Sequence, residues 1–257
     1  MTASGASLAV EWGEDGVLVL RWSNPARRNA LDDALVARLD EALSEAPSRA
    51  RAVLLSGEGS VFCSGYDLHG LAAPTAERLP DDALMACLER LETLPLPTVA
   101  LVNGAAFGAG FDLAMACDFR VGLETALFCM PPARLGIVYA MAGLSRATRL
   151  VGLSRAKMLF LSGRRLDARE ALAWGLLDEC SAEADRRAME LCRTLAQQAP
   201  LAVAGMKEGF HLLARPALSE EASRRMRDTR ARAFASEDAR EGKAAFLEKR
   251  PPRFHGR

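Results

Sequence analysis

Two segments combine glycines with polar residues in a way that could do chemistry: Val61-Phe-Cys-Ser-Gly-Tyr-Asp-Leu68 and Asn103-Gly-Ala-Ala-Phe-Gly-Ala-Gly-Phe-Asp-Leu113. Each follows a β-like run and leads into a helix-like one, so each offers backbone N–H groups at a helix start, where no intrahelical acceptor exists. Glycines at 65, 104, 108 and 110 allow tight turns and close approach to a ligand. Two such turns on adjacent strands could aim two N–H donors at one oxygen. That arrangement is an oxyanion hole, in which each donor is worth roughly 3–4 kcal/mol of transition-state stabilisation. The alternative is that the glycines only let helix and strand pack closely. A phosphate-binding P-loop is excluded because no Gly-Lys-Ser/Thr follows either loop, and a dinucleotide fingerprint because the second loop reads GxxxGxG, with Asp112 where a third glycine would fall.

The elements that must position these loops follow from periodicity. Short β-like runs at Val17–Trp22, Ala52–Ser56, Thr98–Val102, Phe119–Val121 and Ala126–Met130 alternate with helical ones, the order of an α/β domain. Leu35, Leu39 and Leu43 fall on one face of a helix over residues 32–43, and Leu84, Leu88 and Leu91 on one over 81–94, which Pro95 and Pro97 end. From about Arg186 only helical patterns remain. Ser219 and Ser236, each followed by two acids, read as helix caps. The expectation is therefore an α/β core over residues 1–185 and a helical C-terminal extension over 186–257.

Composition narrows the classes. The chain has 257 residues, 33 basic and 33 acidic, and half its residues are apolar, as in an ordinary globular protein and unlike a disordered or dedicated nucleic-acid-binding one. The basic set is 29 Arg and only 4 Lys, and residues 215–257 hold 12 basic and 7 acidic side chains, so a basic tail is balanced by an acidic remainder. Six cysteines, at 63, 87, 117, 129, 180 and 192, form no CxxC pair and no zinc-like cluster, which predicts reduced, mostly buried thiols and no metal. The start lacks a basic stretch followed by an apolar run, so the expected location is cytoplasmic. The apolar stretch Val99–Cys117 contains Asn103, Asp112 and three glycines, and reads as a buried strand and helix rather than a membrane span.

In order along the chain, Asn24-Pro25, Asn29-Ala30-Leu31, Phe62 to Leu68, Asn103 to Asp118, Leu135-Gly136 and Glu241 to Arg250 resemble the enoyl-CoA hydratase/isomerase (crotonase) family. The resemblance implies a crotonase-like (ClpP/crotonase) spiral of repeated ββα units with a helical C-terminal trimerisation region, and a homotrimer or homohexamer. It also implies an acyl-CoA substrate, with coenzyme A as part of the thioester and no separate cofactor, no nucleic acid and no membrane. By that resemblance the thioester oxygen would accept the amides of Ser64 and Ala109. Gly65, Tyr66, Asp67, Leu68, Gly108 and Pro132 would line the substrate, while Arg28, Phe246 and Lys249 would contact CoA, the last two on a neighbouring subunit.

The pattern also departs from the family. Its hydratases use two glutamates, whose positions match Asp112 and Pro132 here. Proline has no side-chain proton, so two-carboxylate hydration is disfavoured. Asp112 could act alone as acid/base in double-bond isomerisation, or serve only as an acid favourable in the first turn of a helix. Tyr139 resembles a residue that holds the substrate carboxylate in the methylmalonyl-CoA decarboxylase branch, or is a structural hydroxyl. His69 is expected on the surface. The catalytic set expected is thus Ser64, Ala109, Asp112 and Tyr139. Isomerisation or atypical hydration ranks first and decarboxylation next, with a non-catalytic acyl-CoA-binding protein as the contrasting class.

Overall fold

A computed structural model describes residues 5–69, 79–214 and 220–255. In chain order the strands are β1 (Ser7–Trp12), β2 (Val17–Ser23), β3 (Ala52–Gly57), β4 (Val61–Cys63), β5 (Thr98–Val102), β6 (Ala105–Phe107), β7 (Phe119–Gly122), β8 (Leu127–Cys129), β9 (Arg165–Asp167) and β10 (Glu179–Cys180). The helices are α1 (Asp33–Arg49), α2 (Asp82–Thr93), α3 (Ala109–Ala116), α4 (Met141–Val151), α5 (Leu153–Ser162), α6 (Ala168–Ala173), α7 (Ala184–Ala196), α8 (Pro200–Ala214), α9 (Glu220–Ala235) and α10 (Glu237–Glu248).

The strands divide between two sheets. One runs β1-β2-β3-β5-β7-β10, parallel from β2 onward with β1 antiparallel at its edge. The other runs β4-β6-β8-β9, with only β9 antiparallel. Each unit therefore gives one strand to each sheet before its helix: β3-β4-α2, then β5-β6-α3, then β7-β8 followed by α4. This is the expected ββα repeat.

Strand alternation builds the core on both faces of the larger sheet. Leu18, Leu20 and Trp22 enter the main core with Leu35, Leu39 and Leu43 of α1, while Val17 and Val19 face a second cluster. α1 begins where the Asp32 side chain accepts the Leu35 N–H at 2.8 Å, and it continues past residue 43 to Arg49. The second cluster bears on the expected boundary at 185/186. That boundary falls inside α7, whose Ala188, Cys192 and Ala196 complete the core beneath β3 and β5, so the α/β unit extends through α7. All six cysteines are free, and all but half-buried Cys180 are buried. Val99–Cys117 becomes β5, β6 and α3, and no helix among the described residues is long and apolar enough to cross a membrane. Ser236 caps α10 through its hydroxyl, which accepts from the Ala239 N–H at 2.9 Å, whereas Ser219 lies outside the described residues.

Candidate functional site

The two glycine loops meet because adjacent strands β4 and β6 deliver them side by side. Gly65 has φ +116° and Gly108 φ +52°, in the region that L side chains avoid. A Cβ on Gly65 would lie 3.2 Å from the Phe107 carbonyl oxygen and 3.9 Å from the Ala109 nitrogen, so the absence of side chains is what lets the backbones abut. Asn103 braces the loops from behind, donating to the carbonyls of Gly57 at 2.8 Å and Gly59 at 2.7 Å. Ala109 is the first residue of α3, so its N–H has no intrahelical acceptor and sits at the positive end of the helix dipole.

The Ser64 amide, expected as the second donor, is engaged within its own loop. The Ser64 N–H donates to the Arg28 carbonyl at 3.2 Å and its hydroxyl to the Arg27 carbonyl at 2.8 Å, so both serve the loop itself. Two residues on, the chain pairs with Leu31, which donates to the Gly65 carbonyl at 2.9 Å and accepts from the Asp67 N–H at 2.7 Å. Amides alternate along an extended strand, so the intervening Tyr66 N–H is directed to the other edge, where β6 and Ala109 lie. The Tyr66 hydroxyl donates to Asp33.

Around this pair, Arg28 is exposed, in a left-handed conformation, with its backbone against Ser64. Asp67 accepts from Arg27 at 3.2 Å and from the His69 N–H at 3.0 Å. Partial burial acts to raise its pKa, but the His69 hydrogen bonds and Arg27 outweigh it and hold the carboxyl below its usual value. His69 is exposed, as expected. Leu68 is half-buried beside these residues.

Asp112, the expected acid/base, sits in a buried ion pair. It is fully buried in the first turn of α3, and the Arg146 guanidinium of α4 grips it through Nε to Oδ1 at 2.8 Å and Nη2 to Oδ2 at 2.9 Å. Oδ2 also accepts the Tyr139 hydroxyl at 3.0 Å. Arg146 Nη1 donates in turn to Glu92 of α2 at 2.9 Å, and Glu92 pairs with Arg149. A carboxylate with both oxygens bound by a guanidinium is an acceptor held in place. Burial, and next the negative charge of Asp112, push the Tyr139 hydroxyl pKa well above its ordinary value, so it stays a neutral donor. Gly143 makes room for this cluster, since a Cβ there would lie 2.3 Å from the Tyr139 ring and 2.9 Å from Asp112 Oδ2.

Pro132 is buried at the start of the 3-10 turn Pro132–Leu135, on the segment that leads to Tyr139. The same chain's α10 covers this turn. Gly242 lies against Leu135, and Gly136, at φ +67°, lies against the Asp238 backbone. Phe246 is 60 % exposed in the last turn of α10, and Lys249 caps that helix in a left-handed conformation. A cavity of about 600 Å³ beside α10, lined by Glu237, Asp238, Glu241, Arg250 and Arg253, shares no residue with the glycine loops. There the Arg250 hydrogen bonds lower the Glu241 pKa to about 2.

Similarity to known proteins agrees with this architecture. The sequence profile described as enoyl-CoA hydratase/isomerase matches residues 13–257. The chain belongs to the enoyl-CoA hydratase/isomerase family. Among family members, it is 36 % identical over 243 residues to a probable enoyl-CoA hydratase of Mycobacterium bovis, covering 94 % of this chain and 97 % of that one. It is 35 % identical over 243 residues to carnitinyl-CoA dehydratase of Salmonella typhi, covering 90 % and 92 %. Methylmalonyl-CoA decarboxylase in complex with 2-nitronate-propionyl-CoA superposes with a TM-score of 0.89 at 30 % identity, covering 97 % of this chain and 98 % of that one.

Proposed function

We propose that this family member binds an acyl-CoA thioester with its carbonyl oxygen between the Tyr66 and Ala109 amides and decarboxylates a methylmalonyl-CoA-like substrate. One observation carries the choice of reaction. The carboxylate expected to move protons, Asp112, has both oxygens bound by Arg146, and the second carboxylate position is Pro132. Decarboxylation forms the enolate without a base: the bond from Cα to the carboxylate breaks, its electron pair stays on Cα and delocalises to the thioester oxygen, and CO2 leaves. A proton from water then quenches Cα. The charge developing on the oxygen is what a pair of preorganised amides stabilises. Tyr139 donates to Asp112, and a substrate carboxylate would compete for that same proton.

Hydration or isomerisation, ranked first from sequence, keeps support from the names of the M. bovis and S. typhi relatives. It requires Asp112 to leave Arg146 or another acid to enter. The contrasting reading, binding without turnover, predicts no product at all. Mass spectrometry in D2O on 2-enoyl-, 3-enoyl- and methylmalonyl-CoA separates the readings. Loss of CO2 supports ours, whereas water gain or double-bond migration without CO2 loss sinks it. The thioester proposal itself fails if saturating acyl-CoA leaves the melting temperature unmoved.

No cofactor beyond the CoA of the substrate is needed for this chemistry. Arg28, Phe246 and Lys249 are proposed CoA contacts, the last two at a subunit boundary. A homotrimer or homohexamer is supported by α8, which exposes Leu201 at 90 % and Leu213 at 85 %, and light scattering tests it. A cytoplasmic location is supported by the free, buried thiols.

A further inference from the structure

Arg146 stands outside the residues the sequence singles out, yet it grips the carboxylate of Asp112. It is fully buried on α4 and pairs with Asp112 on α3 and Glu92 on α2, Glu92 being held also by Arg149 one turn along α4 and Asp112 by the neutral Tyr139 hydroxyl. Two cations and two anions close this network. Its geometry does more than neutralise. The guanidinium fork uses one nitrogen for each Asp112 oxygen and Tyr139 takes a further lone pair, so three of the carboxylate's roughly four lone pairs are engaged.

We propose that Arg146 is a positioning residue that selects the reaction class: by holding both Asp112 oxygens it withdraws this carboxylate from proton transfer, so the enolate arises by loss of a group and not by removal of an α proton. The inference rests on the reading that the glycine loops hold an acyl thioester. It predicts a latent activity. With Arg146 removed, Asp112 regains an oxygen able to take the Cα proton of a bound acyl group, leaving the electron pair on the thioester as an enolate. The Asp112 proton then exchanges with water, and return of a deuteron to Cα regenerates the thioester.

Propionyl-CoA in D2O, followed by mass spectrometry, reads this directly. The wild-type protein should incorporate no deuterium above the enzyme-free control. Arg146→Gln should incorporate it roughly a hundredfold faster than the control, the scale of general-base catalysis, and Arg146→Gln/Asp112→Asn should lose that gain. Arg146→Lys, which keeps the charge without the fork, should fall between wild type and Arg146→Gln. It also serves as the test if Arg146→Gln does not fold. Wild-type exchange that disappears in Asp112→Asn overturns the proposal whatever the variants do, as does a folded, acyl-CoA-binding Arg146→Gln or Arg146→Lys without exchange. If wild type releases no CO2 from methylmalonyl-CoA but Arg146→Gln gains exchange, the decarboxylase reading falls and the role of Arg146 stands.

Discussion

Arg146 and Asp112 form a fully buried, two-point ion pair between α4 and α3, with N–O distances of 2.8 and 2.9 Å. Asp112 is tolerable there because of Arg146, and Arg146 because of Asp112 and Glu92 together. Arg146→Ala should cost about 3–5 kcal/mol, as expected when one member of a buried pair is left uncompensated. Replacing both, as in Arg146→Ala/Asp112→Asn, should cost distinctly less than the sum of Arg146→Ala and Asp112→Asn. Urea unfolding of the four proteins in a double-mutant cycle measures this. Additive losses would mean that the pair does not act as a unit.

The Ala109 amide can be removed with little damage to the helix. Ala109 is the first residue of α3, a position where proline is well tolerated. Ala109→Pro should retain the fold by circular dichroism yet lose roughly 10²–10³ in kcat, the effect of deleting one oxyanion donor. Ser64→Ala, by contrast, should change kcat little. Ser64→Ala removes only the hydroxyl that donates to the Arg27 carbonyl, so an equal loss in the two variants would mean that the loss in Ala109→Pro is not specific to the amide.

Gly143 is a tolerance gauge for the Tyr139–Asp112 contact. A Cβ at 2.3 Å from the Tyr139 ring must displace it, so Gly143→Ala should destabilise by about 1–3 kcal/mol, typical of overpacking. It should also lower kcat for the reaction in which Tyr139 takes part, by a factor comparable to that of Tyr139→Phe. Thermal melts and kinetics on the same preparation compare the two.

Alkaline pH should weaken the fold in a defined window. Burial pushes the thiols of Cys63, Cys87, Cys117 and Cys192 up to about 12 from an ordinary value of about 9, and raises the Tyr139 hydroxyl as well. Groups raised in the folded state hold protons that the unfolded chain releases earlier. Their contribution is therefore complete below about pH 9 and declines as pH climbs through the folded values. Urea midpoints measured from pH 8 to 11 should fall, and Cys192→Ala, although less stable at pH 8, should show a shallower decline.

The frame of this molecule was legible in its sequence, and the reason is periodicity. Leu35, Leu39 and Leu43 mark α1, and the runs at 17–22, 52–56 and 98–102 became β2, β3 and β5 because hydrophobic spacing and β-branched content are local properties. What escaped was directional. Whether Ser64 or Tyr66 turns its amide inward depends on which edge of that loop Leu31 pairs with, some 35 residues away in sequence, and residue type does not encode it. Arg146 escaped for another reason. It shares the buried stripe of α4 with Gly143, Ala147 and Val151, where periodicity calls for an apolar residue, and among 29 arginines nothing local marks it as the partner of Asp112.

The seating of α10 on the turn at Leu135 and Gly136 also has a temporal meaning. About a hundred residues separate Gly136 from Asp238, which at roughly 5–20 residues per second takes ribosomes about 5–20 s to translate. During synthesis, the glycine loops and the Asp112–Arg146 pair can form while the turn below Tyr139 still lacks its cover. The turn at Leu135 and Gly136 is thus among the last parts of the protein to be covered, and a ribosome stalled after α7 would display the glycine loops without the helix that packs on that turn.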